Sequence, residues 1–178
     1  MPVSPLLKAP FYSSQFYHII CKSIDDVLLF RQEKDFPVFH QKIQQFTESY
    51  LDIWSYSLLI NHSHYVVKVK AIENILDTLK QQNPEKLTQS QRRLIENPTQ
   101  ETMLDAMLER QMNRFLVSYA NYYKNKYDHD GGLFQKPFKR IRINDDSHLQ
   151  QAIIYTHANP QKHGVVDDYR LYPYSSYH

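Results

Sequence analysis

Hydrophobic positions along this chain fall into two rhythms, one of alternate residues and one of every third or fourth. The segment SSQFYHIICKSI is apolar, aromatic and β-branched between polar boundaries, and predicts a first strand of about eight residues. In DFPVFHQKIQQFTESYL, Phe36, Phe39, Ile43, Phe46 and Tyr50 recur at spacings of three and four, the apolar stripe of a helix. DIWSYSLLI and HYVVKVK follow as strand-like runs separated only by Asn61 and His62 or thereabouts, close enough for an antiparallel hairpin. Residues 71–100 are rich in Gln and Asn with two Asn-Pro breaks, and predict a short helix followed by a polar connection. From Glu101 to about Lys126, Leu104, Leu108, Met112, Phe115, Tyr119 and Tyr122 mark a long amphipathic helix, which Asp130-Gly131-Gly132 stops. LFQKPFKRIRI returns to alternation and predicts a strand with a charged face. DDSHLQQAIIYTHANP predicts a final helix, with Asp145 or Asp146 capping its start and Pro160 turning Asn159 away from further helix.

The order strand, helix, strand, strand, helix, strand, helix predicts an α+β fold, a ferredoxin-like sandwich whose antiparallel sheet carries its helices mainly on one face. A length of 178 residues suits one domain spanning 1–178. With 21 Lys+Arg against 19 Asp+Glu, global charge makes no case for a polyanionic partner, so any such case must rest on local clusters. Cys21 is the single cysteine, which excludes an intrachain disulfide and a cysteine-based zinc site and fits a reducing compartment. MPVSPLLKAP has no long apolar run, and no window approaches about 18 apolar residues. Neither a signal peptide nor a membrane span is expected, and the expected location is cytoplasmic.

If His62 and His64 both belong to the strand, period two projects them from the same side. By themselves they are either a two-point clamp or polar punctuation at a turn. Tyr155 and Asn159, four apart, share one helix face; separately they read as an interface tyrosine and a helix-end asparagine. Together the imidazoles and the carboxamide oxygen would leave positions open to water and phosphate oxygens, suiting Mg²⁺ or Mn²⁺ acting on a phosphodiester. Attack by a tyrosine hydroxyl would leave a covalent phosphotyrosine. Zinc hydrolases that use His-x-His need further ligands soon afterwards, and YVVKVK supplies none. Lys136, Lys139, Arg140 and Arg142 form either a solvated strand edge or a DNA-binding patch, which Lys124 and Lys126 could extend. Phe134 and Phe138 either pack in the core or stack bases.

NHSHYVV, GGLFQKPFKRIRI, IIYTHANPQKHGVV and the tail YPYSSYH together resemble the single-tyrosine transposases with an HUH motif, especially the REP-associated tyrosine transposase branch. The resemblance runs through nearly the whole chain in the same order, leaving mainly 71–100 as a family-variable connection. It implies a catalytic domain that cleaves and rejoins single-stranded DNA beside hairpins. It also implies a divalent metal, Mg²⁺ or Mn²⁺, on His62, His64 and Asn159, with Tyr155 as nucleophile and a 5′-phosphotyrosine as intermediate. Relatives work as monomers or as homodimers. Ser63 departs from the family, which has a bulky hydrophobic residue between the histidines; that departure favours an alternative, a hairpin-binding domain derived from such a transposase that no longer cuts. His163 and Gly164 resemble a family turn, and Tyr172, Tyr174 and Tyr177 are an interface or a cover for the core.

Overall fold

The computed structural model, which describes residues 7–177, orders the chain as β1 (Phe16–Lys22), α1 (Asp35–Thr47), β2 (Leu51–Leu59), β3 (His62–Val69), α2 (Ile72–Lys80), α3 (Gln89–Glu96), α4 (Glu101–Tyr127), β4 (Lys139–Ile143) and α5 (Asp146–Lys162). Most of the segment MPVSPLLKAP lies outside the described residues. The sheet runs β2-β3-β1-β4 with every neighbouring pair antiparallel, which is the expected ferredoxin-like α+β arrangement. Because β2 ends at Leu59 and β3 begins at His62, both histidines of the pair are strand residues and neither sits in the turn.

Alternation divides the sheet into two unlike faces. Tyr17, Ile19 and Cys21 of β1 and Tyr65, Val67 and Val69 of β3 are buried together with Phe39 and Ile43 of α1 and Phe115 and Tyr119 of α4. The opposite face presents His18, Ile20, His62, His64 and Val66, in pairing register, to α5, where Val66, Ile143 and Ala152 make a small separate cluster. The helices therefore lie mainly on one face, with α5 alone across the other.

Residues 71–100 hold more structure than a polar connection. α3 follows α2, opened by a capping box in which the Thr88 hydroxyl accepts from Gln91 N and the Gln91 side chain accepts from Thr88 N. Ile75, Leu79 and Leu94 enter the main core. The final helix also differs from expectation: Asp145 caps it by accepting from His148 N at 2.8 Å, but it runs through Pro160 to Lys162. Thr156, Asn159 and Pro160 are all buried, so packing overrides the local preference of the proline.

Two polar devices fix the large face. Asp35, at the start of α1, accepts from Arg31 N, Gln32 N, Tyr122 Oη, Tyr127 Oη and Lys126 Nζ, tying α1 to the end of α4. Burial alone would raise its carboxyl, but the Lys126 and Tyr127 donors outweigh that and hold it down at about 2. Arg140, 2% exposed, lies over the Phe11 ring and is ion-paired with Asp105 and Glu109 of α4.

Both outer strands are lined by other parts of the chain. Along β2, Leu58 N donates to Tyr174 O and Ser176 N to Tyr56 O, while Tyr172 Oη donates to Leu58 O and the Tyr174 ring stacks on Phe36 at 3.6 Å. Along β4, Ala9 N donates to Arg140 O. Of the alternatives for the aromatic tail, Tyr172 and Tyr174 cover the core.

Candidate active site

The face of the sheet under α5 gathers the histidines. Ile20 pairs with His64 and Lys22 with His62, so strand register sets both imidazoles on the α5 side. Their ring centroids are 5.0 Å apart. Sequence reasoning missed a third member, His18 of β1, whose Nε2 lies 2.8 Å from His64 Nδ1. Its signal was present: a single histidine on the alternate face of the otherwise apolar run FYHIICK.

α5 completes the arrangement from the same chain. The Tyr155 ring stands 5.7 Å from the His64 ring and 6.0 Å from the His18 ring, centroid to centroid. Two turns further on, the exposed His163 ring is 5.0 Å from His62. Tyr155, Asn159 and His163 follow at intervals of four along one helix face. Its two ends reach His64 and His62, and Asn159 lies between them in the helix. Asn159 is fully buried, and neither its Oδ1 nor its Nδ2 has a hydrogen-bond partner within the protein. Tyr155 is 39% exposed, and Lys162 Nζ sits 4.5 Å from its ring centroid. Beside Tyr155 runs a groove of about 610 Å³, lined among others by His18, Ile20, Ile141, His148, Ile154 and Lys162.

The imidazoles are held neutral. Burial pushes His64 down to about 2, helped by His18, His62 and His163; burial and His148 push His18 down to about 4. His62 falls to about 4 through burial, His163 and Lys22, with Asp26 opposing. Neutral imidazoles, one carboxamide with free lone pairs and an accessible phenol are a donor set that fits a hard divalent cation with open positions. Among the described residues no group of three or more His, Cys, Asp or Glu is placed to hold a metal ion.

The basic run does not act as one patch. Lys139 pairs with Ile20 and shares the α5 side, whereas Arg140 and Arg142 pair with Ile19 and Tyr17 and turn to the opposite side. Arg140 is consumed in the buried ion pairs, which corrects its reading as a DNA contact. Arg142 is exposed but donates to Gln15 and lies over Tyr12. Lys136 is exposed in the loop before β4. Lys126 is held by Asp35 and Lys124 by Asp130, and Phe134 and Phe138 are core residues. Ser63 faces the core side, completely buried opposite Cys21.

Over 87 residues the chain is 33% identical to a provisionally named REP-associated tyrosine transposase of Haemophilus influenzae, a match covering 48% of this chain and 49% of that protein. A solved structure of a REP-associated tyrosine transposase bound to a REP hairpin superposes with a TM-score of 0.58 over 94% of this chain and 79% of the other, at 14% identity. This chain resembles the REP-associated tyrosine transposases. The sequence match spans about half the length of the curated relative, and the structural match carries the fold. No family model matches the chain. Among the described residues no helix is long and apolar enough to cross a membrane.

Proposed function

We propose that this chain is a transposase of the REP-associated tyrosine kind, which cleaves and rejoins single-stranded DNA next to hairpins. The observation that carries the reading is the Tyr155 ring packed beside His64 within one chain. On this reading the nucleophile and the ligand pair belong to one chain. Tyr155 Oη attacks the scissile phosphorus, a P–Oη bond forms, and the bond to the 3′-oxygen breaks. The phenol proton leaves to solvent at the exposed rim, and the departing 3′-oxygen takes up a proton. The 5′-phosphotyrosine keeps the phosphodiester energy for rejoining. His62, His64 and Asn159 would hold Mg²⁺ or Mn²⁺, which supplies charge stabilisation at the non-bridging oxygens when bound. Lys136 and Lys139 are the members of the basic run left to approach the DNA backbone, and the working location is the bacterial cytoplasm.

The test is incubation of the purified chain with hairpin-bearing single-stranded DNA and Mn²⁺, followed by denaturing electrophoresis. A covalent protein–DNA adduct is expected, and Tyr155→Phe abolishes it. An adduct that survives Tyr155→Phe means that another group attacks. The second reading, a hairpin-binding domain that no longer cuts, is favoured by Ser63 and predicts salt-sensitive hairpin binding with no adduct under any metal.

A further inference from the structure

Within the proposed site, one contact belongs to neither the nucleophile nor the ligand set. His18 lies on β1, two residues before the partner of His64 in the strand register, and projects from the same face. Its Nε2 meets His64 Nδ1 at 2.8 Å between two buried rings. A hydrogen bond between two neutral imidazole nitrogens holds one proton, so one ring donates and the other accepts. If His18 donated, neutral His64 would carry its own proton on Nε2, and that nitrogen would have no lone pair for a cation. If His64 donates from Nδ1, its Nε2 is free and His18 carries its proton on Nδ1.

The other histidine of the pair is already held in this way. Asn61 Nδ2 donates to Asp26 Oδ1 at 2.9 Å, which leaves Asn61 Oδ1 as the acceptor facing His62 Nδ1 at 2.7 Å. His62 therefore keeps its proton on Nδ1 and presents Nε2. We infer that His18 is the positioning residue that performs the same task for His64, accepting its Nδ1–H so that its Nε2 lone pair faces the cation. The inference rests on the proposed cation site. It assigns to β1 a role outside the His-x-His motif and makes the orienting partners unlike. His62 leans on a solvent-side amide chain, and His64 on a second buried imidazole. Metal ligands are commonly fixed by such a bond from the ring nitrogen turned away from the metal, and its loss weakens metal binding about 10- to 100-fold.

Two measurements on the full chain test this. Long-range ¹H–¹⁵N correlation spectra of the labelled wild-type protein, without metal or DNA, should show both His64 and His18 protonated on Nδ1. A His64 protonated on Nε2 overturns the inference. Mn²⁺ binding is then measured by titration for wild type, His18→Leu and His18→Gln, with amide spectra confirming that each variant is folded. Leu, which cannot accept, should weaken Mn²⁺ binding about 10- to 100-fold, and Gln, whose Oε1 can accept from Nδ1–H, should recover most of that loss. Wild-type affinity in a folded His18→Leu overturns the positioning role alone. Failure of the wild type to bind Mn²⁺ instead overturns the cation site on which the inference rests. Should His18→Leu not fold, the wild-type spectrum and His18→Gln still decide.

Discussion

On the sheet face that meets α1 and α4, three large polar groups are engaged: Tyr119 Oη donates to Leu29 O at 2.6 Å, Tyr123 Oη to Leu28 O at 2.8 Å, and Asp35 accepts five donors, although Gln111 Nε2 and Arg140 Nε are buried without a partner. On the face that meets α5, Ser55, Ser57, Thr156 and Asn159 bury side-chain atoms with no partner in the protein. Buried polar atoms left this way cost about 1–3 kcal/mol each, so the second face is less stable than an apolar layer of the same shape would be. One sheet thus separates its tasks. The first face supplies stability through polar links and a deep core, and the second buries polar atoms without partners.

Substitutions separate the two faces in opposite directions. The largest expected effect is on cleavage: His62→Ala or His64→Ala should reduce adduct formation at least about a hundredfold while leaving the thermal midpoint and most hairpin binding in place. Adduct formation at the wild-type rate would remove the pair from the site. On the other face, Asp35→Ala should lower stability by about 3 kcal/mol in chemical denaturation, because it strands the Lys126 ammonium and two tyrosine hydroxyls. The same carboxylate sets an acid limit. Its folded value of about 2 lies below the unfolded carboxylate value, so its contribution is complete above about pH 4 and is lost as pH falls towards 2. Asp35→Asn should flatten that part of a stability-against-pH curve, and an unchanged curve would assign the acid limit elsewhere.

A smaller effect of opposite sign is expected at Asn159. Asn159→Leu, close in shape, should raise stability by about 1–2 kcal/mol while cleavage disappears; a destabilised variant would mean that the amide is bonded in the folded protein. Ser63→Ala gives the smallest change. Ser63 Oγ, like Gln111 Nε2 and Arg140 Nε, is a buried atom on the first face with no hydrogen-bond partner in the protein. Removing it should add about 1 kcal/mol without touching cleavage, since the side chain points away from the histidines. A loss of cleavage would tie the core side of β3 to the site.

The strands and the long helices were legible because their apolar periods are strong, as in Phe36, Phe39 and Ile43 or in Leu104, Leu108 and Met112. α3 was not, because its buried contribution reduces to Leu94 and Gln91 within a polar run. The continuation of α5 past Asn159 was hidden by Pro160, whose local preference yields to burial of the whole turn. In the candidate site, spacing and resemblance pointed to His62, His64, Tyr155 and Asn159, of which the structure brings His62, His64 and Tyr155 together. His18 was not, since a contact between β1 and β3 is set by register across more than forty residues. The basic run misled because consecutive cations look like one patch, while a strand sends Lys139 and Arg140 to opposite sides.

The strips of backbone at residues 174–176 and at Ala9 have a consequence for association. β2 is a nine-residue strand carrying Trp54, Tyr56 and Leu58, and without Tyr174 and Ser176 its outer amides and carbonyls would offer a template to any other extended chain. By occupying part of that template itself, the protein leaves less of each edge open to strand-to-strand pairing.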